Sequence, residues 1–167
     1  MVRKATLILG LAAFQTCFAQ SSDGQKAGMF SPPVESCIVP ASDFHGVNAY
    51  VLRAILKVES GLNPTAIGYN RNGTVDIGIG QINSMHLPML AQKGISPGHL
   101  KDPCIGTYVA AWHLKKGMDV HGNTWEGIAR YHSATPYFNR RYQILLMNEL
   151  IRSGVLQGVI QAVPSLR

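Results

Sequence analysis

Glu59 is an ionisable side chain on the apolar face of a helical stretch, Val51-Leu52-Arg53-Ala54-Ile55-Leu56-Lys57-Val58-Glu59-Ser60-Gly61. Leu52, Ile55, Leu56 and Glu59 recur at three- and four-residue spacing, so one face carries aliphatic side chains and a carboxylate while Arg53 and Lys57 lie elsewhere. Partial desolvation and the negative end of the helix dipole both raise a carboxyl pKa, and a carboxyl held protonated near neutral pH is what a general acid requires. The plainer alternative is a solvated Glu at a helix end, or one paired with an Arg. Its companions are Ser60 beside it, Gln81 and Asn83 on a glycine-rich loop, and the run Tyr131-His132-Ser133. Amide side chains among glycines suit hydrogen bonding to hydroxyls and N-acetyl groups, because glycine lets a ligand come close to the backbone. Tyr131 alone reads more readily as a half-buried core residue than as a catalytic one.

Other chemistries fit less well. His132 beside Ser133 has no nucleophile elbow around it, and the six histidines show no metalloprotease spacing. Gly78-Ile79-Gly80-Gln81-Ile82-Asn83 lacks the lysine of a phosphate-binding loop and the glycine spacing of a dinucleotide fold. Asn70, Asn72, Thr74 and Asp76 alternate oxygens as a calcium loop does, but the glycine stands at the wrong position and no bidentate Glu follows. Neither a metal nor a cofactor is expected.

The elements that must position these residues begin near Cys37. A short turn over residues 41–45 leads into a helix over 48–60, with Asn48 as N-cap and Gly61 as terminator. Asn63-Pro64 forbids its continuation. Residues 66–69 and 74–77 flank Asn70-Arg71-Asn72-Gly73, a strong β-hairpin signal with Asn-Gly at the tip. Helical pieces follow over 85–93, 104–118, 124–131 and 136–153, punctuated by Gly and Pro. The pattern predicts a mainly α (α+β) fold in which a small β-hairpin follows the Glu59 helix. Residues 154–167 form an apolar tail whose role is not readable from sequence.

Length permits one domain with a real core. Arg3 and Lys4 precede an apolar run, and Cys17-Phe18-Ala19 presents small residues where a signal peptidase reads, so residues 1–19 are expected to be a cleaved export signal and the mature protein periplasmic. The run is too short to span a membrane. Residues 20–36, rich in Ser, Gly, Gln and Pro, read as a flexible leader into a domain over 37–153. Beyond the signal two cysteines remain, Cys37 and Cys104, in a chain bound for an oxidising compartment; a disulfide is expected, with free thiols or a metal pair as the alternatives. Removing Arg3 and Lys4 leaves 13 Lys and Arg against 9 Asp and Glu, a net +4 that favours an anionic partner. Nucleic acid is a poor candidate, since the basic residues are scattered and no recognition motif appears. Anionic cell-wall polymer and membrane surfaces remain.

Glu59-Ser60-Gly61-Leu62-Asn63-Pro64, Gly78-Ile79-Gly80-Gln81-Ile82-Asn83 and Ala129-Arg130-Tyr131-His132-Ser133 resemble, in order and spacing, the three motifs of lytic transglycosylases with a goose-type-lysozyme-like (SLT) catalytic domain. The likeness covers residues 37–143, and its compact length and Tyr-His-Ser look most like the small members that accompany type III and type IV secretion, conjugation and pilus systems. The resemblance implies a lysozyme-like helical domain acting as a monomer on peptidoglycan glycan strands. It further implies that Glu59 is the sole acid/base, that Ser60, Gln81 and Asn83 bind substrate, and that Tyr131 lies near the catalytic carboxyl. Two departures stand out. Ile79-Gly80 replaces the usual Leu-Met, and His132-Ser133 replaces the usual Asn-Ala.

What the resemblance implies is cleavage of the β-1,4 bond between N-acetylmuramic acid and N-acetylglucosamine without water, leaving 1,6-anhydro ends. Two rivals stand beside it. One is a true muramidase in which Asp76 positions water, and the other is a glycan-binding assembly protein that does no chemistry.

Overall fold

The structure is a computed structural model and describes residues 34–165. The expected export signal and most of the expected leader lie outside them. Six α-helices and a small sheet follow one another: α1 (Val34–His45), α2 (Ala49–Ser60), β1 (Ile67–Tyr69), β2 (Val75–Ile77), β3 (Ile82–Asn83), α3 (Leu87–Ala91), α4 (Pro103–His121), α5 (Trp125–Ala129) and α6 (Pro136–Arg152). Short 3₁₀ turns precede α3 and α4. No described helix is long and apolar enough to cross a membrane.

Helix α2 is where local sequence and tertiary packing agree most fully. Asn48 caps it, its Oδ1 accepting the backbone N–H groups of Tyr50 (2.9 Å) and Val51 (3.1 Å). Gly61 ends it in the left-handed region, φ 67°, with its N–H turned back on the Leu56 and Lys57 carbonyls. Leu52, Ile55 and Leu56 are fully buried, as their spacing predicts, while Lys57 is exposed. Arg53 reaches across to α1 and pairs with Glu35 at 2.8 Å. Helix α1 packs on α4 and α2 packs on α6, so the core lies among these four, filled by Ile38, Leu52, Ile55, Leu114, Tyr142 and Leu146.

The structure corrects the reading of residues 41–45, which form the last turn and a half of α1 rather than a free turn. Val34 to Ser36, placed in the leader by composition, already belong to that helix. Its anchor is the Cys37–Cys104 disulfide, which ties α1 to the first turn of α4 across 67 positions of sequence. Asp102 caps the same turn through the N–H groups of Cys104 (2.9 Å) and Ile105 (2.8 Å).

The hairpin is also larger than its sequence signal. β1 and β2 pair antiparallel with Gly68 opposite Asp76, and β3 then adds to the other edge of β2 with Asn83 opposite Asp76. Such a two-residue strand is too short to leave a period in the sequence. The tail folds back along α6. Asn148, wholly buried, donates to the Gln161 carbonyl and accepts the Gln161 N–H, both at 2.8 Å. Arg141 Nε donates to the Pro164 carbonyl at 2.9 Å, and the Tyr137 hydroxyl meets the Ser165 carbonyl.

Candidate active site

Glu59 is the penultimate residue of α2, and its side chain keeps only 13% of its exposure. The Tyr142 hydroxyl, brought up by α6, donates to Glu59 Oε1 at 2.5 Å. Burial pushes the Glu59 carboxyl from 4.5 up to about 7; the Tyr142 hydrogen bond opposes that shift and the nearby charge of Asp76 adds to it. A carboxyl poised there is half protonated at neutral pH, which suits one group that must first give a proton and then take one back. Tyr142 occupies Oε1 as a donor, so the transferable proton belongs on Oε2. Burial first, and then the Glu59 charge, drive the Tyr142 pKa far up, so its hydroxyl keeps its proton and remains a donor.

His132 stacks on the Tyr142 ring, centroids 4.7 Å apart and planes within 6°, with Nδ1 3.9 Å from Glu59 Oε1. Burial and the charge of Arg141 lower its pKa. Near neutral pH it is therefore an uncharged plate over Tyr142 rather than an ion-pair partner for Glu59. Where the resemblance leads one to expect an Asn, this chain has a ring that braces the tyrosine.

The opposite wall comes from the sheet. Asp76 accepts from Asn70 Nδ2 on one oxygen and from Asn83 Nδ2 on the other, both at 2.8 Å. Asn83 Nδ2 is also 2.9 Å from Thr74 Oγ1, and Asn83 Oδ1 accepts the Met85 N–H at 3.0 Å. Gln81 sits at φ 47° and gives its amide N–H to the Gly78 carbonyl at 2.8 Å. Both amides thus hold the loop and the sheet in shape while lining the cleft. Tyr131 donates to the Gly80 carbonyl at 2.6 Å. The tyrosine that orients Glu59 directly is Tyr142.

Glu59, Gln81, Asn83 and Tyr131 converge on one cleft of about 680 Å³, joined there by Asp76, Arg71 and His132. Ser60 does not line it. Its hydroxyl donates to the Ile79 carbonyl at 2.8 Å and accepts the Asn63 N–H at 3.1 Å, tethering the end of α2 to the loop that carries Gln81. Gly80 explains the missing Met: a β-carbon there would stand 2.7 Å from both the Tyr131 hydroxyl oxygen and Ala110 Cβ. The chain makes a close loop-to-helix approach at this position. Farther along the cleft, the His113 ring lies 4.9 Å from His86 and 4.8 Å from Tyr131, and burial pushes His113 down to about 4. A separate apolar hollow of about 470 Å³, lined by Phe44, Tyr108 and Trp112 among others, holds no carboxylate and has no part in this constellation.

Sequence reasoning missed Tyr142. Its spacing with Leu146 and Leu150 marks it as a core position, and it is fully buried. Nothing local tells that its hydroxyl meets a carboxylate 83 positions earlier. Asp76 was legible as an acid on the hairpin, but its electrostatic reach to Glu59 was not.

A transglycosylase SLT domain model matches residues 36–143 of this chain. Invasion protein IagB of Salmonella typhimurium is 39% identical over 100 residues, which is 59% of this chain and 62% of that protein. Protein IpgF of Shigella flexneri is 31% identical over 117 residues, or 70% of this chain and 77% of that protein. A peptidoglycan-binding-like protein of Escherichia coli is 29% identical over 117 residues, covering 65% and 70% respectively. The matched span runs from α1 through the first half of α6 and contains every residue of the cleft described above.

Proposed function

We propose, since this chain belongs to the transglycosylase SLT domain family, that it is a peptidoglycan lytic transglycosylase cutting the MurNAc-β-1,4-GlcNAc bond non-hydrolytically. The observation that carries the proposal is the setting of Glu59: a nearly buried carboxyl, its pKa raised by that burial, with an oriented donor at the foot of a polar, sugar-sized cleft. A glycosidase normally needs two carboxylates, and one suffices when the substrate supplies the nucleophile. Glu59 gives its proton to the glycosidic oxygen as the C1–O4 bond breaks, and the neighbouring N-acetyl carbonyl oxygen holds the positive charge that develops at C1. Glu59, now a carboxylate, takes the proton of the C6 hydroxyl as O6 closes on C1. The products are a free 4-hydroxyl and a 1,6-anhydromuramyl end. Glu59 is protonated again and no water is consumed.

Asp76 supports the second reading, a muramidase, because it is another carboxylate in the same cleft. Its two oxygens are already held by Asn70 and Asn83, which favours a role in shaping the sheet over activating water. Digestion of purified peptidoglycan followed by product mass separates the two. Anhydro ends are lighter by one water than hydrolysed ends, and reducing ends alone would overturn the transglycosylase reading. Any turnover excludes a purely glycan-binding role.

The biological setting belongs to the proposal too. We place the mature protein in the periplasm, exported by residues 1–19, and infer that it opens the wall locally for a secretion, conjugation or pilus apparatus. The likeness to a protein named for invasion supports that setting. Cell fractionation tests the first part. The second predicts that a strain carrying only Glu59→Gln loses export through the apparatus while still making the protein.

A further inference from the structure

The cleft continues past Glu59 into a side pocket. His113, Arg130 and Ala134 line both, and Lys116, Gly117, Val120 and His121 complete the smaller space of about 190 Å³. His113, Lys116, Gly117, Val120 and His121 fall at three- and four-residue steps, so they form one face of α4, turned toward Arg130 at the end of α5. Gly117 opens the floor, since its nearest neighbours across the gap are the Gly127 carbonyl oxygen and Arg130 Cβ, 3.5 and 3.9 Å from where a β-carbon would stand.

Lys116, Arg130 and two histidines line the pocket beside Gly117, Val120 and Ala134, and no carboxylate does. Glu126 bonds Arg130 Nη2 at 2.9 Å from outside the lining, and Asp119 pairs with Lys115. Lys116 forms no ion pair among the described residues; its ammonium lies 5.6 Å from the centre of the Trp112 ring. The Lys116 charge also contributes, after burial, to holding His86 and His113 in their neutral forms. Two of the shared side chains carry a buried polar atom with no protein partner, His113 Nδ1 and Arg130 Nε. An arriving hydrogen-bonding group would relieve that unfavourable state.

We propose that this side pocket receives a free carboxylate of the peptide stem borne by the muramyl sugar seated at Glu59. The inference rests on the transglycosylase reading and deepens it. The two sugars of a glycan strand are uncharged, whereas the stem that hangs from the muramyl lactyl group carries carboxylates. Only the stem brings negative charge to the cleft, and this flanking space, whose lining holds no acid, suits that charge. Peptide-bearing strands are then preferred over stripped ones, although the bond broken is between sugars.

The test is a calorimetric titration of the oxidised, signal-free protein with N-acetylmuramyl-L-alanyl-D-isoglutamine, which keeps one free carboxylate, and with the same molecule amidated there. The wild type should bind the carboxylate form about two- to fivefold more tightly, the scale of one partly exposed ion pair. Lys116→Ala with His121→Ala should erase that difference while leaving affinity for the amide as it was, and Lys116→Arg alone should keep the preference. Equal affinities in the wild type overturn the proposal. So does a preference that survives the double variant, which marks a diffuse positive field, or an equal weakening toward both ligands, which marks lost packing rather than a lost charge contact. The probes contain no scissile bond. A protein that discriminates between them yet releases no anhydro ends from peptidoglycan therefore counts against Glu59 chemistry and not against the pocket.

Discussion

At the scale of single residues, the site rests on the protonation of Glu59. Glu59→Gln keeps the size and can still accept from Tyr142 but has no proton to give, so turnover should fall by at least about a hundredfold while glycan binding remains. The same substitution should change stability in a pH-dependent way. Between 4.5 and about 7 the folded protein holds a proton on Glu59 that the unfolded chain has already lost, so wild-type stability falls as pH rises through that window. The Gln variant escapes the penalty. Melting curves should show it more stable than wild type at pH 8, by up to about 3 kcal/mol, with the gap closing toward pH 4.5. A gap independent of pH would mean that Glu59 is not the titrating group.

The two tyrosines should separate by kind of defect. Tyr142→Phe removes a hydrogen bond that favours the ionised carboxylate, so the Glu59 pKa should climb further and the alkaline limb of the pH–rate profile should move up as kcat falls. Tyr131→Phe removes a bond to the Gly80 carbonyl instead, and should cost about 1 to 2 kcal/mol of stability while leaving that limb in place. Identical pH profiles for the two variants would contradict this division.

At the scale of elements, the loop between β2 and β3 has to meet α2, α4 and the end of α5 within a few ångströms. Ser60 ties it to α2 through the Ile79 carbonyl, Tyr131 ties it to the α5 end through the Gly80 carbonyl, and the absent side chain of Gly80 lets Ala110 of α4 close against it. Adding one methyl there should therefore be felt twice. Gly80→Ala should destabilise the fold by about 1 to 3 kcal/mol through overpacking. Combined with Tyr131→Phe it should cost clearly less than the sum, because the smaller ring edge gives the methyl room. Additive losses would show that the two positions do not share this contact.

At the scale of the whole molecule, α1 is held to α4 by Cys37–Cys104, a link outside the cleft. Closing a loop of that length constrains the unfolded chain by roughly 4 kcal/mol on the chain-entropy estimate. Reduction, or Cys37→Ala with Cys104→Ala, should lower the melting temperature markedly, yet leave the pH–rate profile unchanged where the protein is still folded. A shifted profile would mean that the bridge shapes the site. The tail acts from the other side, laying residues 154–165 along α6, the helix that delivers Tyr142.

The local features were decided by sequence. The aliphatic spacing of α2 turns Glu59 inward, Asn48 and Gly61 bound that helix, and the Asn-Gly tip makes the hairpin, because each depends on neighbours within a turn or two of chain. The three motifs placed Gln81, Asn83 and Tyr131 at the cleft by resemblance. Tertiary structure alone decided which atoms meet: Tyr142 rather than Tyr131 on Glu59, Asn70 and Asn83 on Asp76, Ser60 turned to a backbone carbonyl instead of the cleft, and a third strand too short to show a period. Hydrophobic periodicity reports which face of an element is buried and says nothing of which polar atom on a distant element lies opposite it. That pairing is set by how α2, α6 and the sheet pack together.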